Sequence, residues 1–209
     1  MQLGAFSGAI FAFCTWFYRL AFINILWILF TVLGLGILGF FPATIALLST
    51  LRQYINQQEV AIFSTFWSYY KQEFIKSNKI GAFIIIIALI LFSHIQFFRT
   101  TDIAVSELLY ISSIIVSCFY FLVICYFLYS YVEFEIHVKT HIKNSLLIAI
   151  YSPLASLYII FGFCAVYFAN AFIPSLSIFF SVSILGLVIL SSAKLAYRKI
   201  EKNQSIPQA

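Results

Sequence analysis

The chain alternates between long apolar blocks and short polar stretches, and the block lengths set the first expectations. From residue 3 to 51 a single charge, Arg19, interrupts an apolar run. One membrane-crossing helix needs only about 20 residues, so this run must turn back on itself. Within it stands Gly34-Leu35-Gly36-Ile37-Leu38-Gly39-Phe40-Phe41-Pro42. Three glycines followed by a proline weaken a helix and favour a turn, and proline suits the first turn of a new helix. The pattern predicts an interfacial segment over 3–17, a span over 18–36 and a shorter second arm over 40–57 that starts near Pro42. Residues 52–79 then carry Arg52, Lys71, Lys76 and Lys79 against Glu59 and Glu73, while Phe63, Phe66, Trp67, Tyr70 and Phe74 recur at helical spacing. This predicts an amphipathic helix over 63–77, with an aromatic face and a basic rim, at the membrane surface. Such a helix either packs on its own bundle or offers Phe63, Phe66, Trp67, Tyr70 and Phe74, with Lys71, to a partner.

Four more apolar blocks predict spans over 80–98, 105–132, 145–168 and 172–193. A short polar turn (Arg99, Thr100, Thr101, Asp102) separates the first two. The most polar stretch, 133–144, separates the next two, and a tight turn near Asn170 and Pro174 joins the last two. The expected fold class is therefore all-α: one integral membrane domain, a polytopic bundle of six transmembrane spans plus a cytoplasmic interfacial helix. The alternative has five spans, with residues 41–57 lying along the inner surface. The second arm, about 17 residues or roughly 25 Å, is short for a ~30 Å hydrocarbon layer and needs a thinned bilayer or a buried position.

Composition removes whole classes of function. Of 209 residues 63% are hydrophobic and 9% charged, and the mean hydropathy is +1.03. A soluble domain carries about 25% charged residues. A soluble enzyme, a nucleic-acid-binding domain and a disulfide scaffold are excluded. The net charge of +5 reflects the enrichment of basic residues in short cytoplasmic loops. With 52–79, 133–144, the tail and Arg19 inside, Arg99 is the one basic residue of twelve left outside. That places the chain in the cell membrane with a cytoplasmic C-terminus and, for six spans, a cytoplasmic N-terminus. No basic region precedes the first apolar block and no lipidation motif is seen, so neither a cleavable signal nor a lipid anchor is expected.

Few residues suggest chemistry. Glu133, His137 and His141 stand at i, i+4 and i+8, a candidate zinc set if one helix carries all three. Solvated interfacial side chains explain the same spacing, and no HExxH pattern supports the metal. Cys14, Cys118, Cys125 and Cys164 all lie in apolar blocks and read as small core residues. Asn24 lies in the first span, and His94 and Gln96 near one end of the third; polar groups in a bilayer face a partner or a cavity. For Asn24 an interhelical hydrogen bond is expected. His94, Gln96, Arg99, Asp102 and Glu107 gather near one membrane face, as a vestibule or as plain interfacial groups. There is no acidic relay, no P-loop and no internal repeat. No catalytic residue and no cofactor is expected.

Several stretches together carry a resemblance. They are Trp16-Phe17-Tyr18-Arg19-Leu20, Asn24-Ile25-Leu26-Trp27-Ile28-Leu29-Phe30, Gly39-Phe40-Phe41-Pro42-Ala43-Thr44, Phe63-Ser64-Thr65-Phe66-Trp67, Lys71-Gln72-Glu73-Phe74-Ile75-Lys76-Ser77-Asn78 and Lys143-Asn144-Ser145-Leu146-Leu147. From about residue 3 to 200 the chain resembles the YesL-like family of small bacterial membrane proteins, a domain of unknown function. The resemblance implies proximity to ABC importers of oligosaccharides and their glycoside hydrolases, beside which such proteins are often encoded. It implies a non-enzymatic accessory role, with ABC sugar permease subunits or a second copy of the chain as partners besides the lipid bilayer. It supplies no catalytic residues. A small-molecule transporter or channel, its path lined by Asn24 and the polar outer cluster, is the alternative. A membrane metalloenzyme built on Glu133, His137 and His141 is a third class.

Overall fold

The computed structural model describes residues 2–100 and 105–204, and among these every regular element is a helix. In chain order they are α1 (Gln2–Leu33), α2 (Ile37–Ile55), α3 (Ile62–Thr100), α4 (Ser106–Glu133), α5 (Val138–Tyr151), α6 (Pro153–Phe172), α7 (Ser175–Phe179) and α8 (Ser181–Gln204). Five stretches are long and apolar enough to cross a membrane: Ile10–Leu33, Ile62–Thr100, Ser106–Glu133, Pro153–Phe172 and Ser181–Arg198. The protein is thus an all-α, multi-pass membrane protein. The described residues fall into two compact units, one drawn from 1–74 and 160–191, the other from 75–159 and 192–209.

The first unit is built around the α1–α2 hairpin. The glycine-rich stretch turns the chain as expected. Gly36 donates its N–H to the Thr31 carbonyl at 2.8 Å and Leu35 to that of Val32 at 3.0 Å, the paired bonds that close a helix end when the next residue is left-handed. Leu35 takes φ +59° there, a conformation usually left to glycine, and Gly36 takes +75°. At the turn the two backbones touch. A Cβ on Gly39 would lie 2.5 Å from the Thr31 carbonyl oxygen, and one on Gly34 2.3 Å from the Gly39 Cα. Only glycine admits that approach.

The second arm begins before its expected start near Pro42. It starts at Ile37, so Pro42 lies inside α2 rather than at its start. Pro42 forfeits one backbone bond near the helix beginning, where the apolar surroundings still favour helix. Nor does α2 belong to the five apolar stretches or lie along a surface. Its residues Pro42, Ala43, Ala46, Leu47, Leu48, Thr50 and Leu51 are buried, and Gly186 of α8 packs on Leu47, Leu48 and Leu51. This is the buried arm that its short length requires.

Other expected boundaries move too. The interfacial segment over 3–17 and the span over 18–36 are one helix, α1. The amphipathic stretch 63–77 and the span 80–98 are likewise one helix, α3, which runs through Lys79 and Gly81 without a break. At 39 residues α3 is about 58 Å long, nearly twice the hydrocarbon thickness. The expected span over 145–168 is broken at Ser152, since the residue before Pro153 is pushed out of the helical region. The expected span over 172–193 contains the break between α7 and α8.

In the second unit α4 ties its neighbours together. Tyr120 donates to the Ile84 carbonyl of α3 at 2.7 Å, Tyr126 meets Ser156 of α6 at 3.0 Å, and Tyr129 packs on Tyr197 of α8 at 5.0 Å between ring centres.

The Gly39 approach predicts that Gly39→Ala lowers stability by about 1–3 kcal/mol through overpacking against backbone. Gly8→Ala, where a Cβ meets nothing within 4 Å, leaves it unchanged or slightly raised. Thermal unfolding of the detergent-solubilised protein, followed by circular dichroism, compares the two.

Candidate functional site

Three polar or aromatic centres of the first unit bear on function. The first is Asn24, which is fully buried. Its Nδ2 donates to the Ile178 carbonyl at 2.7 Å, and its Oδ1 accepts from the Val182 and Ser183 amides, both at 3.0 Å. Those three groups belong to the break between α7 and α8. A helix that begins inside an apolar surround leaves its first N–H groups without partners. Asn24 acts as an N-cap supplied from another helix. The expected interhelical hydrogen bond is therefore present, and its partner is backbone.

The second centre is the aromatic face of α3. Phe30 of α1 meets Phe66 at 5.3 Å, Trp67 at 5.2 Å, Tyr70 at 4.9 Å and Phe63 at 6.3 Å between ring centres, and Tyr70 donates to the Phe30 carbonyl at 3.1 Å. Phe66 and Tyr70 are buried by the chain itself and Phe74 is half-buried, so these three do not form the free docking face the sequence offers as one reading. Phe63 and Trp67 remain 53% and 38% exposed. Lys71 is exposed, with its ammonium 5.0 Å from the Trp67 ring centre.

The third centre surrounds Arg19, which the sequence used only to orient the chain. Its guanidinium lies 4.2 Å from the Tyr54 ring centre and 5.9 Å from that of Trp16, and it forms an ion pair with Glu59. The Arg19 side chain is 15% exposed and that of Glu59 79%. Tyr54 spends its hydroxyl on the Val60 carbonyl, which shapes the 56–61 loop. A cavity of about 540 Å³ opens here, lined by Trp16, Arg19, Tyr54, Ile55, Gln57, Glu59, Leu187 and Ser191. The signal for it in the sequence was the solitary charge in a long apolar block; its partner Glu59, forty residues away, had none.

The remaining candidates do not converge. The backbone is extended at Phe134 and His137, so Glu133, at the end of α4, and His141, on α5, share no helix face with His137. The continuous helix that the zinc set requires is absent. His141 is buried instead, with Nδ1 2.8 Å from Ser130 Oγ. Among the described residues no three His, Cys, Asp or Glu gather as metal ligands. His94 lies 3.0 Å from Ser113 Oγ, in an open groove with Ile86, Leu89, Ile90 and Phe97. Gln96, Arg99 and Glu107 are exposed, and Asp102 lies outside the described residues. Cys125 is buried, whereas Cys14, Cys118 and Cys164 are exposed on apolar helices.

Comparison with known proteins gives relatives of matching length. A family model described as "Protein of unknown function, DUF624" matches residues 20–95. The chain is 32% identical over 205 residues to "Uncharacterized protein YteU" of Bacillus subtilis (strain 168), covering 96% of this chain and 90% of the relative. It is 29% identical over 198 residues to "Uncharacterized protein YesL" of the same organism, covering 94% and 93%. No solved structure matches.

Two outcomes follow from these environments. Replacing Asn24 by Leu strands buried backbone groups at the α7–α8 break, each worth about 1–3 kcal/mol; the melting temperature should fall well below that of the parent. For His141, burial first, and then the Lys76 ammonium, hold the imidazole below its usual range, against an opposing backbone bond at Ile136. The unfolded chain then binds the proton more readily, so stability is full above the ordinary histidine range and falls as the pH drops through it. Denaturation at pH 7.5 and 5.5 checks this, and His141→Gln should flatten the difference.

Proposed function

This chain belongs to the YesL-like family of membrane proteins of unknown function, and on that premise we propose that it is a non-enzymatic accessory protein of an ABC-type carbohydrate uptake system. The observation that carries the proposal is how the polar groups of the apolar helices are used. Asn24, the amide at the heart of α1, closes on the chain's own backbone. His94, Gln96 and Glu107 are exposed rather than aimed at a common path. That favours a protein that acts by contact over a transporter or channel lined by those residues. The carbohydrate setting comes from the gene neighbourhood that the family resemblance implies.

The contact surface in this reading is the exposed edge of the aromatic helix: Phe63, Trp67 and Lys71. Its root, Phe66 and Tyr70 on Phe30, is packed, so the edge is presented in a fixed geometry. The edge faces the cytoplasm, with the basic segments 52–79, 133–144 and the tail on the same side in the cell membrane. The Arg19–Glu59 pair supports that orientation, because it brings Arg19 to the end of the hairpin where the 56–61 loop lies. A permease subunit, with its cytoplasmic loops, is the favoured partner.

Affinity purification of the tagged protein from its native membrane, with mass spectrometry of what comes down, tests the proposal. Importer permease subunits should co-purify with the parent and be depleted at least about tenfold with Trp67→Ala/Lys71→Glu, an effect of roughly 1.4 kcal/mol or more. Absence of any importer component from the parent sample would remove the proposal's basis.

A further inference from the structure

The cavity beside Arg19 holds more hydrogen-bonding capacity than the fold consumes. A guanidinium carries five N–H donors. Glu59 takes one, and among the described residues no other acceptor lies within bonding distance of the group. Tyr54 and Trp16 flank the guanidinium and leave the Arg19 side chain 15% exposed, so its remaining donors open onto the cavity. Glu59 is the opposite: four-fifths exposed, it pairs through Oε2 and turns the rest of its carboxylate outward. The pair therefore presents positive and negative groups with spare hydrogen-bonding capacity to one cavity.

That cavity has room for a polar group of moderate size, and its wall is mixed. Ile55, Leu187 and the Trp16 ring are apolar, while Gln57 and Ser191 are polar. Tryptophan and tyrosine beside a cation are the residues that proteins place at headgroup depth. A purely anionic ligand would meet Arg19 but be repelled by Glu59. A neutral one would use neither charge. A ligand carrying a phosphodiester and an ammonium group satisfies both, the phosphate taking the planar donors that arginine offers. With Glu59 largely exposed, the ion pair contributes only about 1 kcal/mol, so the Glu59 carboxylate can adjust around the ligand at small cost. We propose that this cavity binds the zwitterionic headgroup of a membrane phospholipid, with its phosphate on Arg19 and its ammonium on Glu59. The apolar wall receives the start of the acyl chains, which distinguishes the lipid from a free phospho-amine.

The full-length protein in mild detergent, supplied with equal amounts of dioleoyl phosphatidylethanolamine and dioleoyl phosphatidylglycerol, tests the site by native mass spectrometry of retained lipid. The parent should retain the ethanolamine lipid at least about fivefold over the glycerol lipid. Arg19→Gln should lose that retention. Glu59→Gln, at an exposed position that leaves the fold intact, should shift the preference toward the glycerol lipid, since Arg19 then faces an anion without a competing carboxylate. Equal retention of the two lipids by the parent would overturn the proposal, as would unchanged selectivity in Glu59→Gln. If Arg19→Gln fails to fold, the Glu59→Gln result decides alone. Displacement of the lipid by an equal concentration of free O-phosphoethanolamine would also overturn it, in favour of a soluble zwitterion.

Discussion

A helix that stops and restarts inside an apolar surround must find partners for its free backbone groups, and in this protein Asn24 supplies them. Lipid offers no hydrogen bonds, so every unpaired N–H or C=O there costs several kcal/mol. The break between α7 and α8 exposes the Ile178 carbonyl and the Val182 and Ser183 amides, and one carboxamide side chain meets all three. Asparagine is suited to this because it both donates and accepts. Leucine would fill the space and satisfy none of them, and aspartate would bring a buried charge. Asn170 adds a further bond at the same break, donating to Ser181 Oγ at 2.7 Å.

The rest of the first unit follows from that fixed point. With α8 started correctly, Gly186 meets α2 at Leu47, Leu48 and Leu51. The turn at 34–36 then lets α2 lie against α1 closely enough for Trp27 to donate to Thr44 at 3.1 Å and for Arg19 to reach Tyr54. Packing without large gaps is what holds helices together where apolar surface gains nothing by leaving lipid. The same economy explains the polar inventory. Most buried polar side chains described in this unit are spent on backbone or on each other, though Thr31 Oγ1 is buried without a hydrogen bond, and Arg19 is charged, largely covered and only partly paired.

Much of this was legible in the sequence. Block length gave a multi-pass helical membrane protein, and three glycines before Pro42 gave the hairpin. The spacing of Phe63, Phe66, Trp67, Tyr70 and Phe74 gave an amphipathic helix. What escaped was where helices stop. Hydropathy reports which residues tolerate lipid and says little about backbone continuity. It separated α3 into two elements near Lys76 and Lys79, charges that a helix accommodates without strain. It also ran through Ser152, where Pro153 forces a break, and through Phe180, where no glycine or proline marks one. The zinc set rested on helical spacing across Phe134 to His137, where the backbone is extended. Arg19 and Glu59 meet only because the hairpin returns the chain to its start, a long-range fact that no local pattern carries.

Hydrogen–deuterium exchange at the Val182 and Ser183 amides, compared between the parent and Asn24→Leu in the same lipid nanodiscs, tests the central claim most directly. If Asn24 caps the break, both amides are protected in the parent and lose that protection in the variant, while amides at Leu47 and Leu48 in α2 change far less. Equal protection of Val182 and Ser183 in the two proteins would contradict the account.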